Sequence, residues 1–200
     1  MRTNLALATA VLTSLAASAI QLQAATIFDD FGPGNSFSDG GRLLQGPSVG
    51  TIADVDQAAA FTLGPTGYES ISVWLGIYAD TPPNTGTGPL DVIIASDAGG
   101  VPGTALATAH LTISSTGKQI AQATFAGLVL NANTTYWLVA DSQGTYDGSW
   151  NFNDQSVTGL TAGRSNLGAW NARPNDDELV FSVEGRQAVV PDQAPWWERG

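Results

Sequence analysis

The chain has 200 residues, with 18 acidic residues against seven lysines and arginines, and a formal net charge of −11 at pH 7. This acidic balance argues against nucleic acid as a partner, because phosphate binding needs a basic face. The chain contains no cysteine and one histidine, which excludes disulfides and leaves a zinc site without its usual ligands.

The first 25 residues have the order of an export signal. Arg2 is followed by an apolar run at residues 5–15 and then by small residues, with cleavage expected after Ala24 or Ala25. The run is shorter than the roughly 20 apolar residues that span a bilayer. We expect residues 1–25 to be a signal-peptide helix, a buried N-terminal helix being the alternative. The mature chain is then secreted or held at a cell surface, without a transmembrane helix.

Beyond the signal, short runs of alternating apolar and polar residues are separated by turn clusters. In the clearest run, Ile71, Val73, Leu75 and Ile77 fall on one face. Further candidates are TIFDDF, AAAFTLG, LDVIIASDA, TALATAHLTI, QIAQATFAG, TTYWLVADS, GSWNFND and DELVFSVEG. The spacing leaves no room for the crossovers of a parallel sheet. The sequence therefore predicts an all-β domain at residues 26–186, an antiparallel β-sandwich of jelly-roll-like type.

Three connecting segments can be interpreted from their composition. Val101 to Thr104 is predicted to form a type II turn, in which Pro102 fixes φ and Gly103 takes a positive φ. Residues 159–177 are rich in small and polar residues and form either a long surface loop or two weak strands. Residues 187–200 are expected to be a disordered C-terminal tail.

Two pairs of aromatic residues can serve either the core or a ligand. Tyr136 and Trp137 point to opposite faces of a regular strand, and we expect Tyr136 to face inward with Leu138. Trp74 and Tyr78 lie opposite the apolar face of their own strand. They are either half buried under a loop or available to a ligand.

Trp150 and Phe152 are the better ligand candidates. They share a strand face, and Asn151, Asn153 and Asp154 place amide and carboxylate groups beside them. Sugar sites combine such hydrogen-bonding groups with a flat aromatic surface. These five residues are the predicted ligand site of a carbohydrate-binding module that recognises extracellular polysaccharide. A tryptophan and a phenylalanine two positions apart on one sheet face more often fill a sandwich core, and that is the competing interpretation of this pair.

Four aspartates are weak candidates for a structural calcium ion, which prefers several carboxylate and carbonyl oxygens. They are Asp54, Asp56, Asp141 and Asp147. Their spacing matches no EF-hand loop, and solvated turn residues are the alternative. No other cofactor is expected.

Catalysis has little support in the sequence. His110 lies within a predicted strand, and no nucleophile motif of the Gly-x-Ser-x-Gly type accompanies it. A pair of carboxylates could hydrolyse a glycoside, but fourteen aspartates create many accidental pairs. We therefore expect a protein without enzymatic activity.

The segments LDVIIASDAGGVPGTALATAHL, GLVLNANTTYWLVADS and GSWNFND together resemble the choice-of-anchor domain family, most closely its type R. The resemblance covers roughly residues 25–185. It implies an exported bacterial surface domain with a β-sandwich fold and no established catalytic activity.

The tail resembles the opening of a PEP-CTERM-like sorting tag at Val190, Pro191 and Asp192, although no apolar helix follows. Such a tag is degenerate or truncated. The leading hypothesis is a structural or interaction domain at the cell surface or in the extracellular matrix, with polysaccharide or other surface proteins as partners. A carbohydrate-binding module is the alternative.

Overall fold

The computed structural model describes residues 23–49, 54–80 and 86–188. Nearly all of the predicted signal peptide and most of the predicted tail lie outside these ranges, so both remain predictions. Within them, every regular element is a strand, and no helix is long and apolar enough to cross a membrane. The first strand begins at Ala24 and the last ends at Gln187, close to the predicted limits of 26 and 186.

Twelve strands are present in the described ranges. They are β1 (Ala24–Asp29), β2 (Gly41–Gln45), β3 (Val55–Thr62), β4 (Tyr68–Ala79), β5 (Gly88–Asp97), β6 (Pro102–Ile113), β7 (Gly117–Leu130), β8 (Thr135–Ser142), β9 (Asp147–Asn151), β10 (Thr158–Ser165), β11 (Asn171–Asp177) and β12 (Phe181–Gln187).

All strand pairs are antiparallel and belong to one curled sheet. Its order is β1–β12–β4–β9–β2–β3–β8–β5–β6. Strand β7 pairs with the other edge of β4, while β10 pairs with β3 and carries β11 beyond it. The prediction of an all-β antiparallel domain is confirmed.

One face of the curled sheet encloses the main core. Ile71, Val73, Leu75 and Ile77 are at most 1% exposed, which confirms the alternation predicted for β4. They pack with apolar side chains of β5, β7, β8 and β12 in a single cluster. Full burial of one such side chain contributes about 1.5–3 kcal/mol, so this cluster dominates the stability of the fold.

The opposite face of β3, β5 and β8 carries a second, smaller core. Tyr136 faces the main core, as predicted, while Trp137 is fully buried on the other side. The β10–β11 hairpin extends the sheet beside β3 and contributes Leu160 and Ala162 to this core, with Trp170 from the connecting turn. Residues 159–177 are therefore mostly two strands rather than a long loop.

The turn between β5 and β6 differs from the prediction. Gly99 and Gly100 have φ values of 77° and 88°, and the amide of Ala98 donates to the carbonyl of Val101. The predicted turn residues Pro102 and Gly103 instead begin β6. Two adjacent glycines reach left-handed φ without strain, so the tight turn forms at Ala98 to Val101 instead of Val101 to Thr104.

Candidate functional site

Trp150 belongs to the main core and not to a surface. Its side chain is fully buried, its indole N–H donates to the carbonyl of Val180 at 2.8 Å, and its ring packs edge-on against Phe181. Strand β9 lies between β2 and β4, where the inner face of the sheet is covered. The prediction that Trp150 stacks on a sugar is therefore wrong, and the core alternative holds for this residue.

The side-chain amides of Asn151 and Asn153 already donate hydrogen bonds within the fold. The Asn151 side chain donates to the carbonyl of Ser38 at 2.9 Å. The Asn153 side chain donates to the carbonyls of Val157 and Glu178, at 2.8 and 3.0 Å. Because both side chains are buried and hold neighbouring loops, neither is free to orient a ligand.

Three of the five predicted ligand residues, Phe152, Asn153 and Asp154, line a surface depression of about 300 Å³, although the amide of Asn153 is already bonded within the fold. The depression is also lined by Ser38, Ser156, Val157 and Asp177. Phe152 is half buried, and the guanidinium carbon of Arg42 lies 5.4 Å from its ring centroid. This cation–π contact occupies part of the ring that a sugar would use.

Trp74 lines another depression, of about 140 Å³, on the outer face of the sheet. The remaining lining residues are Asp29, Phe31, Asn35, Ile120, Ser182 and Glu184. Trp74 is half buried, and in the strand register it faces Ser182 of β12. The depression thus combines an accessible indole with hydroxyl, amide and carboxylate groups, which is the composition expected of a sugar-binding surface.

A row of charged residues crosses the sheet on the face of the second core. In the strand register, Arg164 of β10 faces Asp56 of β3. Asp141 of β8 faces Asp91 of β5, and on its other side Asp91 faces His110 of β6. The β3–β8 register makes Asp56 and Asp141 the next facing pair. Facing residues in antiparallel strands project to the same side, so the register alone brings these charges together.

Three of the four predicted calcium candidates meet at this row. One carboxylate oxygen from each of Asp54, Asp56 and Asp141 lies within 4.8 Å of the other two. Arg164 bonds Asp56 through Nε at 2.7 Å and approaches Asp141 to 3.7 Å. Trp170 stacks against this guanidinium, whose carbon lies 4.6 Å from the ring centroid. We call Asp54, Asp56 and Asp141 the acidic triad.

The surroundings of the acidic triad disfavour full ionisation. Burial, then the charge of Asp56, raises the pKa of Asp141 to about 7. Burial, and to a lesser degree the charge of Asp56, also raises the pKa of Asp54. Among the described residues, Oδ1 of Asp54 and Oδ1 of Asp56 are inaccessible and accept no hydrogen bond. One arginine therefore only partly compensates three crowded carboxylates.

Asp147, the fourth candidate, lies apart from the triad. It is the first residue of β9, and its carboxylate accepts a hydrogen bond from Gln45 of β2 at 3.1 Å. Asp147 faces Gln45, which faces Val55 of β3, so β2 lies between Asp147 and the triad. The carboxylates that lie within 4.8 Å of one another are those of Asp54, Asp56 and Asp141, and the structure does not bring Asp147 into that group.

His110 lies at the exposed end of the charged row. Its Nδ1 is 2.7 Å from Asp91, and its side chain is 77% exposed. The histidine therefore lies beside a carboxylate on β6, the last strand in the sheet order.

Sequence reasoning missed Arg164 and Trp170, which complete the surroundings of the triad. Both lie in the segment interpreted only as loop or weak strands. The scarcity of basic residues was a usable signal: with seven lysines and arginines against 18 acids, each arginine is expected to contact a carboxylate. Which carboxylate Arg164 contacts depends on the β3–β10 register, which local patterns do not give.

A scan against protein-family models gives no match, and a search of curated proteins finds none that matches this chain. The resemblance to the choice-of-anchor family therefore stays a prediction.

Proposed function

We propose that this chain is an exported, non-enzymatic domain of choice-of-anchor type that has a structural or interaction role at the bacterial cell surface or in the extracellular matrix. In this proposal, the curled sheet closes as a jelly-roll-like β-sandwich. The polar groups that carry the resemblance support the fold rather than a reaction.

The observation that carries the proposal is the position of Asp97. Its carboxylate accepts the amides of Gly99 and Gly100, each at 3.1 Å, and the indole N–H of Trp137 at 2.8 Å. The bond from Trp137 is the main reason that the pKa of Asp97 is lowered. One side chain thus joins the Asp-x-Gly-Gly turn to the Tyr-Trp strand, two motifs that carry the resemblance. Their contact is structural, which fits a domain without catalysis.

Export is tested by expressing the full chain in a bacterium and sequencing the N-terminus of the protein outside the cytoplasm. We expect a mature form that begins at Ala25 or Thr26, and loss of export when charged residues replace part of the apolar run 5–15. A chain that stays in the cytoplasm with an uncleaved N-terminus contradicts the proposal.

Carbohydrate binding is a second candidate function, favoured by the depression around Trp74. We propose Trp74 as the stacking residue in place of Trp150, with Asp29, Asn35 and Glu184 as hydrogen-bonding neighbours. Titration of the protein with a panel of exopolysaccharides, followed by tryptophan fluorescence, tests this function. Trp74→Ala is expected to weaken binding by about tenfold or more.

Phe152→Ala is the matched control because it alters the other depression. Unchanged binding by this variant, with loss in Trp74→Ala, supports the assignment to Trp74. The reverse pattern contradicts that assignment, and the absence of a response to any glycan removes the candidate function.

A further inference from the structure

The acidic triad at the end of the second core has the properties of a cation site. We propose that Asp54, Asp56 and Asp141 bind a divalent cation of the calcium class. The inference is independent of the proposed export and surface role, so either can fail without the other.

The spacing of the triad fits one shared ion. Calcium binds oxygen ligands at about 2.3–2.6 Å, so two ligand oxygens on the same ion are at most about 5 Å apart. The oxygens of Asp54, Asp56 and Asp141 all lie within 4.8 Å of one another. The triad needs little rearrangement to close around a cation.

A second observation is the state of the Asp56 side chain. It is 1% exposed, and its Oδ1 accepts no hydrogen bond from the described residues, although Oδ2 is held by Arg164. Oδ1 of Asp54 is also inaccessible and has no partner among these residues. Buried acceptors are normally satisfied, because an unsatisfied one is costly. A cation between the carboxylates satisfies both oxygens together.

The charges favour a divalent ion with oxygen ligands. Three carboxylates and the guanidinium of Arg164 give a formal charge of −2 when all are ionised, which a divalent cation neutralises. The triad contains only oxygen donors, the type that calcium and magnesium prefer over the nitrogen and sulfur donors of zinc sites. Asp54 is only half buried, which leaves the ion a route from solvent.

The main test compares thermal unfolding of the purified full-length chain in chelator, in CaCl2 and in MgCl2. Calcium at saturation is expected to raise the midpoint by about 5 °C or more, since an ion that binds only the folded state stabilises it. Asp54→Asn and Asp141→Asn are expected to abolish the shift. Asp147→Asn, a buried aspartate outside the triad, is the matched control and keeps it.

Terbium luminescence gives a readout that does not depend on unfolding. Trp170 packs on Arg164 beside the triad, so bound Tb³⁺ is expected to emit when tryptophan is excited, and CaCl2 is expected to displace it. Emission must fall in Asp54→Asn and in Asp141→Asn, which alter the two half-buried members of the triad and leave the buried Asp56 in place. Equal midpoints in calcium and chelator for the unaltered chain overturn the proposal. So does a calcium shift that persists in both triad variants.

Discussion

Two groups of buried or half-buried carboxylates in this domain differ in whether a cationic side chain contacts them. The acidic triad has Arg164 against Asp56 at 2.7 Å. Asp30 and Glu178, only 4% and 3% exposed, form no salt bridge within the described ranges. The triad is partly compensated by one cationic side chain, while Asp30 and Glu178 lack a comparable partner among the described residues.

The second group is expected to hold its protons instead. Burial raises the pKa of Asp30 to about 7, and burial followed by the charge of Asp30 raises that of Glu178 to about 8. Oδ1 of Asp30 accepts the amide of Phe181 at 2.7 Å, whereas Oδ2 of Asp30 and Oε1 of Glu178 have no partner among the described residues. The comparison teaches that one fixed cation does not offset several crowded carboxylates, since the pKa of Asp141 beside Arg164 is raised to about 7, as is that of Asp30 without a cation.

The largest effect is expected when the compensating cation is removed. Arg164→Met leaves the fully buried Asp56 facing two further carboxylates without a counter-charge. Breaking a buried ion pair from one side typically costs about 3–5 kcal/mol. We expect a loss of this size in the free energy of unfolding, measured by urea denaturation in the presence of chelator.

Arg186→Met is the control for Arg164→Met. Arg186 is half exposed and lies 3.5 Å from Glu69, so its loss is expected to cost less than about 1 kcal/mol. Equal losses in the two variants would show that Asp56 does not depend on Arg164.

The sequence predicts which side chains of a strand share a face, because apolar and polar residues alternate along the strand. It places Ile71, Val73, Leu75 and Ile77 inward and sends Tyr136 and Trp137 to opposite faces. Alternation does not say whether the second face is covered. Trp137 is buried in a cluster with Ala58 of β3 and Ala162 of β10, and the β3–β10 pairing that brings these two together joins parts of the chain far apart in sequence.

The sites are less predictable than the strands, because they depend on register. Asp56 and Asp141 are 85 positions apart and meet only through the β3–β8 pairing. Asp147 is also an aspartate near a strand end, but it belongs to the β2–β9 pair. The polar neighbours of Trp150 are compatible with a ligand site as well as with a core position, and only the place of β9 between β2 and β4 decides for the core. Local patterns give the face of a residue and not its neighbours across the sheet.

Removing the charge of Glu178 is expected to have an intermediate effect that depends on pH. A carboxyl whose pKa is raised on folding stabilises the fold fully below its unfolded pKa, near 4, and this stability is lost as pH rises through about 8. Glu178→Gln stays neutral throughout. We expect this variant to raise the free energy of unfolding by about 1–3 kcal/mol at pH 8.5 and to change it little at pH 5.

Urea denaturation at the two pH values, in chelator, measures this difference. Glu184→Gln, on the outer face of β12, is the control and should alter the pH dependence much less. Equal stabilisation by Glu178→Gln at both pH values would mean that Glu178 is not protonated by burial.

The smallest effect is expected at the open end of the charged row. His110 and Asp91 are as close as Arg164 and Asp56, at 2.7 Å in both pairs. His110 is 77% exposed, whereas Asp56 is 1% exposed. A double-mutant cycle on the exposed pair is expected to give a coupling below about 1 kcal/mol that falls further with added salt. The same cycle on Arg164 and Asp56, measured in chelator, should give a larger coupling with little salt dependence, because dissolved salt screens a buried pair much less than an exposed one. Equal couplings would show that distance, and not burial, sets the strength of these contacts.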